Sequence, residues 1–167
     1  MACSEAPQIY RDTIYCNIPD CAAHFAMADS KKALSDRDYR ALAEFRHLLR
    51  KFLAFSEDAA RAQGLTPQQH QALLATKGYG GILTIGALAE KLLVRPHTAA
   101  ELVERLEEAG YIRRRADPND RRRTELSLTA AAEKRLASLS RVHRKELERL
   151  IPLLKPLLSG LETPGSK

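Results

Sequence analysis

The sequence predicts a mainly α-helical fold carrying one small β-hairpin, and three observations predict it. Leu and Ala dominate the apolar residues, Trp is absent and β-branched residues are sparse, a balance that favours helices packed on helices over a large sheet. Apolar residues recur at helical spacing in successive segments punctuated by Gly, Pro and capping residues. Two short strand-like runs flank the turn-rich Asp117-Pro118-Asn119-Asp120. A length of 167 residues and a hydrophobic fraction of 44% suit one globular domain, or one domain with helical arms.

Residues 1–34 show no clear periodicity and read as a loosely ordered leader. Clear helix signals begin eight residues after Met27, which makes Met27 a candidate start, to be decided by the intact mass of the native product. Ser35, followed by Asp36 and Asp38, has the form of an N-cap with acids in the first turn. From there to Gln63 neither Pro nor Gly intervenes, and Leu42, Phe45, Leu49 and Phe52 form one apolar stripe that Leu48 and Phe55 broaden. Such a helix is on the order of 40 Å long, and being apolar on more than one side it needs both its own domain and a partner. Gly64 ends it.

Thr66-Pro67-Gln68-Gln69 opens the next helix with a cap, a proline at the first helical position and a capping-box glutamine; Leu73 and Leu74 are expected to face inward. Thr84 then caps a short helix over Ile85–Leu92, a tight turn follows at Leu93-Val94-Arg95, and Pro96 starts a helix that Gly110 closes. Ala99, Leu102, Val103 and Leu106 form the inner side of that helix. Residues 111–115 and Thr124–Leu128 are the two strands, and Thr129 caps a helix to about Leu150. Pro152 and Pro156 are expected to interrupt the leucine-rich continuation to 161 as a kinked helical end, with a disordered tail over 162–167. Two short helices joined by a few residues, followed by a hairpin, make a winged helix-turn-helix order.

The net charge of +6 points to an anionic partner, and much of the excess is local. Residues 113–123 hold six arginines against Asp117 and Asp120. No apolar run approaches the ~20 residues of a membrane span, and no basic segment followed by an apolar stretch opens the chain, so a cytoplasmic, non-membrane protein is expected. Cys3, Cys16 and Cys21 are odd in number and confined to the leader, which argues against a disulfide scaffold. Cys16, Cys21 and His24 fall short of a zinc signature, so no metal and no cofactor are expected.

On the helix over 96–109, the inward residues leave His97, Thr98, Glu101 and Arg105 on an exposed side suited to the major groove of double-stranded DNA. Arg105 suits guanine or a phosphate, Glu101 suits cytosine N4, and His97 and Thr98 lie where a helix N-terminus favours phosphate. The plain alternative is the solvated side of an ordinary amphipathic helix. The arginine-rich hairpin favours the DNA reading, because crowded like charges repel unless an anion is near and the minor groove supplies one. Asp120 lies two residues before Arg122, so on a strand-like segment it shares a face with Arg122 and can orient the guanidinium.

The stretch 65–129 resembles the MarR family of winged-helix regulators. The matching residues run from Leu65-Thr66-Pro67-Gln68-Gln69 through Leu83-Thr84-Ile85-Gly86-Ala87-Leu88-Ala89 and Leu102-Val103-Glu104-Arg105-Leu106-Glu107-Glu108-Ala109-Gly110-Tyr111-Ile112. The most distinctive is Asp117-Pro118-Asn119-Asp120-Arg121-Arg122 with its exit Leu126-Ser127-Leu128-Thr129. The resemblance implies a homodimer whose terminal helices interlock, with an N-terminal dimerisation helix over 35–64, a DNA-binding domain over 65–129 and C-terminal dimerisation helices over 130–161. It implies that helix 96–109 reads an inverted-repeat operator, that Arg122 enters the minor groove held by Asp120, and that Arg121 meets a phosphate. It also implies repression relieved by a small aromatic or phenolic effector. Two other readings stay open: a helical protein-interaction module whose basic hairpin meets an acidic protein, and a redox sensor using the leader cysteines, which lie ahead of the helix where sensing relatives carry theirs. Nothing in the sequence forms a nucleophile–base constellation or a phosphate loop, so no enzyme is expected.

Overall fold

The computed structural model describes residues 34–116 and 124–161. The expectations for the leader, the possible start at Met27, the leader cysteines and His24, the hairpin tip and the tail lie outside these residues. The elements are α1 (Asp36–Ala62), α2 (Pro67–Gly78), α3 (Ile85–Leu92), α4 (Pro96–Glu108), β1 (Ile112–Ala116), β2 (Thr124–Leu128) and α5 (Ala130–Leu161). Among the described residues these elements fall into two compact units, one over 68–116 and 124–134 and the other over 34–67 and 135–161.

Hydroxyls start three of the helices. The Ser35 hydroxyl accepts from the Asp38 amide at 3.3 Å while the Asp38 carboxylate accepts from the Ser35 amide at 2.8 Å, a reciprocal box that satisfies two donors. Thr84 accepts from Ala87 at 3.2 Å. Thr129 accepts from Ala132 at 3.3 Å and donates to the Gly110 carbonyl at 2.7 Å, tying the start of α5 to the end of α4.

Helices α1, α3 and α4 end on the same pair of backbone bonds. Gly64 donates to Arg61 and Leu65 to Ala60; Gly110 donates to Glu107 and Tyr111 to Leu106; Leu93 donates to Glu90 and Val94 to Ala89. This ending needs a left-handed residue. Glycine supplies it at Gly64 (φ 71°) and Gly110 (φ 72°), but Leu93 adopts φ 55° despite its side chain. Leu93 is the joint between α3 and α4.

In the unit of residues 68–134, Leu73, Leu83, Leu88, Val103, Leu106 and Ile112 are almost wholly removed from solvent. α3 packs on α4, α4 on β1, and α3 on β2. The hairpin is antiparallel, pairing Ile112 with Leu128, Arg114 with Leu126 and Ala116 with Thr124. It is also tied to the loop before α3 by a bond from the Leu126 amide to the Leu83 carbonyl at 2.9 Å.

In the other unit, Leu48, Ala60, Leu65, Leu136, Leu139 and Leu150 are buried. His143 is buried among them. Its Nδ1 lies 2.7 Å from the Leu139 carbonyl and its Nε2 2.7 Å from the Ser56 hydroxyl, and the rings of Phe52 and Phe55 meet it edge-on. The Arg135 guanidinium donates to the Gln63 carbonyl.

Two expectations are corrected. Leu74 is 49% exposed instead of inward. At about 100° per residue, the buried arc of α2 carries Ala72, Leu73 and His70, and Leu74 falls past its edge towards exposed Gln71. The expected break at the prolines does not occur either: α5 is one helix through Pro152 and Pro156. Each proline costs a helical hydrogen bond, and the two stand four residues apart on one exposed face, where water can solvate the freed carbonyls.

Candidate nucleic-acid interface

Helix α4 is built to show one side. Ala99, Leu102, Val103 and Leu106 are buried, as their spacing predicts, while His97, Glu101 and Arg105 are exposed and Thr98 is half-buried. Its start differs from those of α1, α3 and α5: the cap position is Arg95, with no side-chain hydrogen bond to the first turn, and Pro96 follows. The first-turn amides therefore have no side-chain cap competing with a ligand, and exposed Arg95 and His97 flank them.

Two of the expected DNA contacts are engaged with each other. The Arg105 guanidinium lies 3.3 Å from the Glu101 carboxylate, one turn earlier, and Nε of Arg105 also donates to the Glu101 carbonyl. Both side chains are well exposed, so the pair is worth only a few tenths of a kcal/mol and is readily exchanged for a base edge or a phosphate.

The hairpin's alternation sorts the arginines of β1. Ile112 and Arg114 share a face with their partners Leu128 and Leu126, whereas Arg113 and Arg115 lie on the other face opposite Ser127 and Glu125. Ile112 and Leu126 are buried, which turns Arg114 towards α4. There its Nε lies 2.8 Å from Glu107 Oε2, and its backbone amide donates to Glu107 Oε1 at 3.4 Å. The sequence reading weighed the hairpin arginines only against the two tip aspartates and missed Glu107. A signal was available: the reversal at Gly110 brings the residue three places before it beside the residue four places after it.

Asp120, Arg121 and Arg122 lie outside the described residues, so the structure brings together four of the seven expected contacts on α4 and the hairpin base that carries the rest. Among the described residues no three potential metal ligands cluster, and no helix is long and apolar enough to cross a membrane.

The uncharacterised HTH-type transcriptional regulator YcgE of Bacillus subtilis is 33% identical over 112 residues, spanning 67% of this chain and 72% of the relative. The MarR family model matches residues 63–123. This chain belongs to the MarR family. It is a DNA-binding transcription regulator with a winged helix-turn-helix fold. The transcriptional regulator HosA of Escherichia coli O111:H- is 32% identical over 130 residues, 68% of this chain and 94% of the relative. The fold of this MarR-family chain is also that of an S. aureus MepR mutant solved bound to an oligodeoxyribonucleotide, with a TM-score of 0.58 at 21% identity over 72% of this chain and 96% of the other.

Proposed function

We propose that this regulator is a cytoplasmic homodimeric repressor without catalytic activity, and that it reads an inverted-repeat operator through α4 and the hairpin. The observation that carries the DNA-reading part is α4 itself: its inner side is sealed in the core, while His97, in a first turn that no side chain caps, and Glu101 and Arg105 further along stand exposed. In this reading Thr98, His97, Glu101 and Arg105 contact base edges and phosphates of the major groove. Arg122, oriented by Asp120, enters the minor groove, and Arg121 meets the backbone.

The dimer is supported by the terminal helices, which expose Leu42, Leu49, Leu53, Leu147, Leu153 and Leu158 among other large apolar side chains. A two-fold arrangement sets half-sites about ten base pairs apart. Release by a small aromatic or phenolic effector belongs to the same proposal. It requires the ligand to prefer a spacing of the DNA-binding units that misfits successive grooves.

Selection of duplexes from a random pool with the full chain, followed by titration of Arg122→Ala on the selected site, tests the reading. The variant is expected to lose roughly tenfold to a hundredfold in affinity and to show a salt slope shallower by about one. Unchanged affinity would return the hairpin to the protein-interaction reading.

A further inference from the structure

We infer that Glu107 is a specificity-determining residue: by holding Arg114 against α4, it keeps a cation of the hairpin base away from DNA phosphate. The inference rests on the docking of α4 and hairpin proposed above. The carboxylate of Glu107 meets both the side chain and the backbone amide of Arg114, with Nε at 2.8 Å and the amide nitrogen at 3.4 Å. Glu107 therefore fixes where the first strand leaves the helix as well as neutralising a guanidinium.

Position explains why this matters. In the proposed docking, with α4 in one groove and the hairpin tip in the next, the duplex backbone would pass between them, beside the junction that Glu107 and Arg114 occupy. An open depression lined by Glu107, Arg113, Arg114 and Thr129 lies at that junction. A guanidinium freed there would meet phosphate on any sequence, adding affinity that carries no sequence information. The Arg114 side chain is only about one-third exposed while its carboxylate partner holds it. Arg113 and Arg115, on the opposite face of the strand, have no such tether to α4 among the described residues.

The test compares the full-length chain with Glu107→Gln and Arg114→Ala on two duplexes of equal length, one selected from a random pool and one scrambled, across a salt series. Glu107→Gln keeps the side-chain volume and releases Arg114. On the scrambled duplex its log affinity is expected to fall with log salt more steeply by about 0.9, the signature of one added phosphate contact. The selected-to-scrambled affinity ratio is expected to fall severalfold. Adding Arg114→Ala to Glu107→Gln should return the slope to the wild-type value, because the released cation is then gone.

A purely structural Glu107 would act otherwise: its loss would weaken binding to both duplexes without steepening either slope, and that result overturns the inference. If Glu107→Gln fails to fold, Arg114→Ala alone decides the matter. An unchanged slope on scrambled DNA supports a withheld cation, and a slope shallower by about 0.9 shows Arg114 already on phosphate, which refutes it. Wild-type protein that binds the two duplexes equally would instead overturn the docking from which the inference starts.

Discussion

In residues 68–134, Leu73, Leu83, Leu88, Val103, Leu106, Ile112 and Leu126 lose nearly all contact with water, and among the described large apolar residues only Leu74, Ile82 and Leu93 stay exposed. In the unit formed by the terminal helices the proportion reverses. Leu34, Tyr39, Leu42, Leu49, Leu53, Val142, Leu147, Ile151, Leu153 and Leu158 are all exposed. The difference follows from element shape. Short helices and a hairpin can surround a common centre, whereas a helix of 27 residues and one of 32 cover only a stripe of each other. One unit closes its own core, and the other carries an apolar surplus that suits a second copy of the chain.

The largest effect should come from breaking the closed unit. Leu106 lies on α4 with no exposed surface, so Leu106→Ala should cost about 3 kcal/mol, combining lost transfer energy with a cavity beneath that helix. Urea unfolding followed by circular dichroism measures it. A cost under about 1 kcal/mol would mean that the core around α4 collapses to fill the gap.

The open unit should respond differently. Leu153 is 53% exposed, so Leu153→Asp should leave the secondary structure intact and weaken self-association by roughly thirtyfold, the ~2 kcal/mol of a lost interface anchor. Sedimentation over a concentration series reads this directly. An unaltered dimer, or a wild type that is monomeric at every concentration, would break the link between surplus apolar surface and pairing.

How much of this was legible in the sequence depends on the range of the interaction. The inner side of α4 and the caps at Ser35, Thr84 and Thr129 follow from spacings of three and four residues, and they were read correctly. The first strand begins one residue later than expected, at Ile112, because the Gly110 ending uses the Tyr111 amide. What escaped was set by tertiary neighbours. The edge of the buried arc on α2 placed Leu74 outside it, and solvation of an exposed face let α5 continue through two prolines. The Glu107–Arg114 pair needed the chain reversal between them to be drawn before it could be seen. Of the candidate site, the helix residues were legible because amphipathicity is local, and the pairing of Arg105 with Glu101 also lies at a helical spacing of four that the sequence displays.

A smaller effect distinguishes polar from apolar cohesion in the open unit. Ser56→Ala removes a hydrogen bond to buried His143 and should cost about 1 kcal/mol, against the larger loss at Leu106. Thermal melts at one fixed protein concentration compare the two, since the proposed self-association would make the midpoint concentration-dependent. If Ser56→Ala proved as costly as Leu106→Ala, the histidine contact would hold the open unit as strongly as leucine packing holds the closed one.

The smallest effect concerns the joint of the helix-turn-helix. A leucine at φ 55° bears a conformational cost of about 1–2 kcal/mol that glycine would not. Glycine, though, gives up more chain entropy on folding, by roughly 0.5–1 kcal/mol, and Leu93→Gly also loses whatever the partly covered side chain contributes. A net stabilisation near 0.5 kcal/mol is therefore expected. The reciprocal change, Gly110→Ala, isolates the conformational cost, because an added Cβ there would meet nothing within 4 Å while φ stays at 72°. It should destabilise by about 1 kcal/mol. Should both substitutions destabilise, the Leu93 side chain contributes more than its backbone strain costs, and the turn between α3 and α4 is held by packing at a joint where the ends of α1 and α4 rely on glycine.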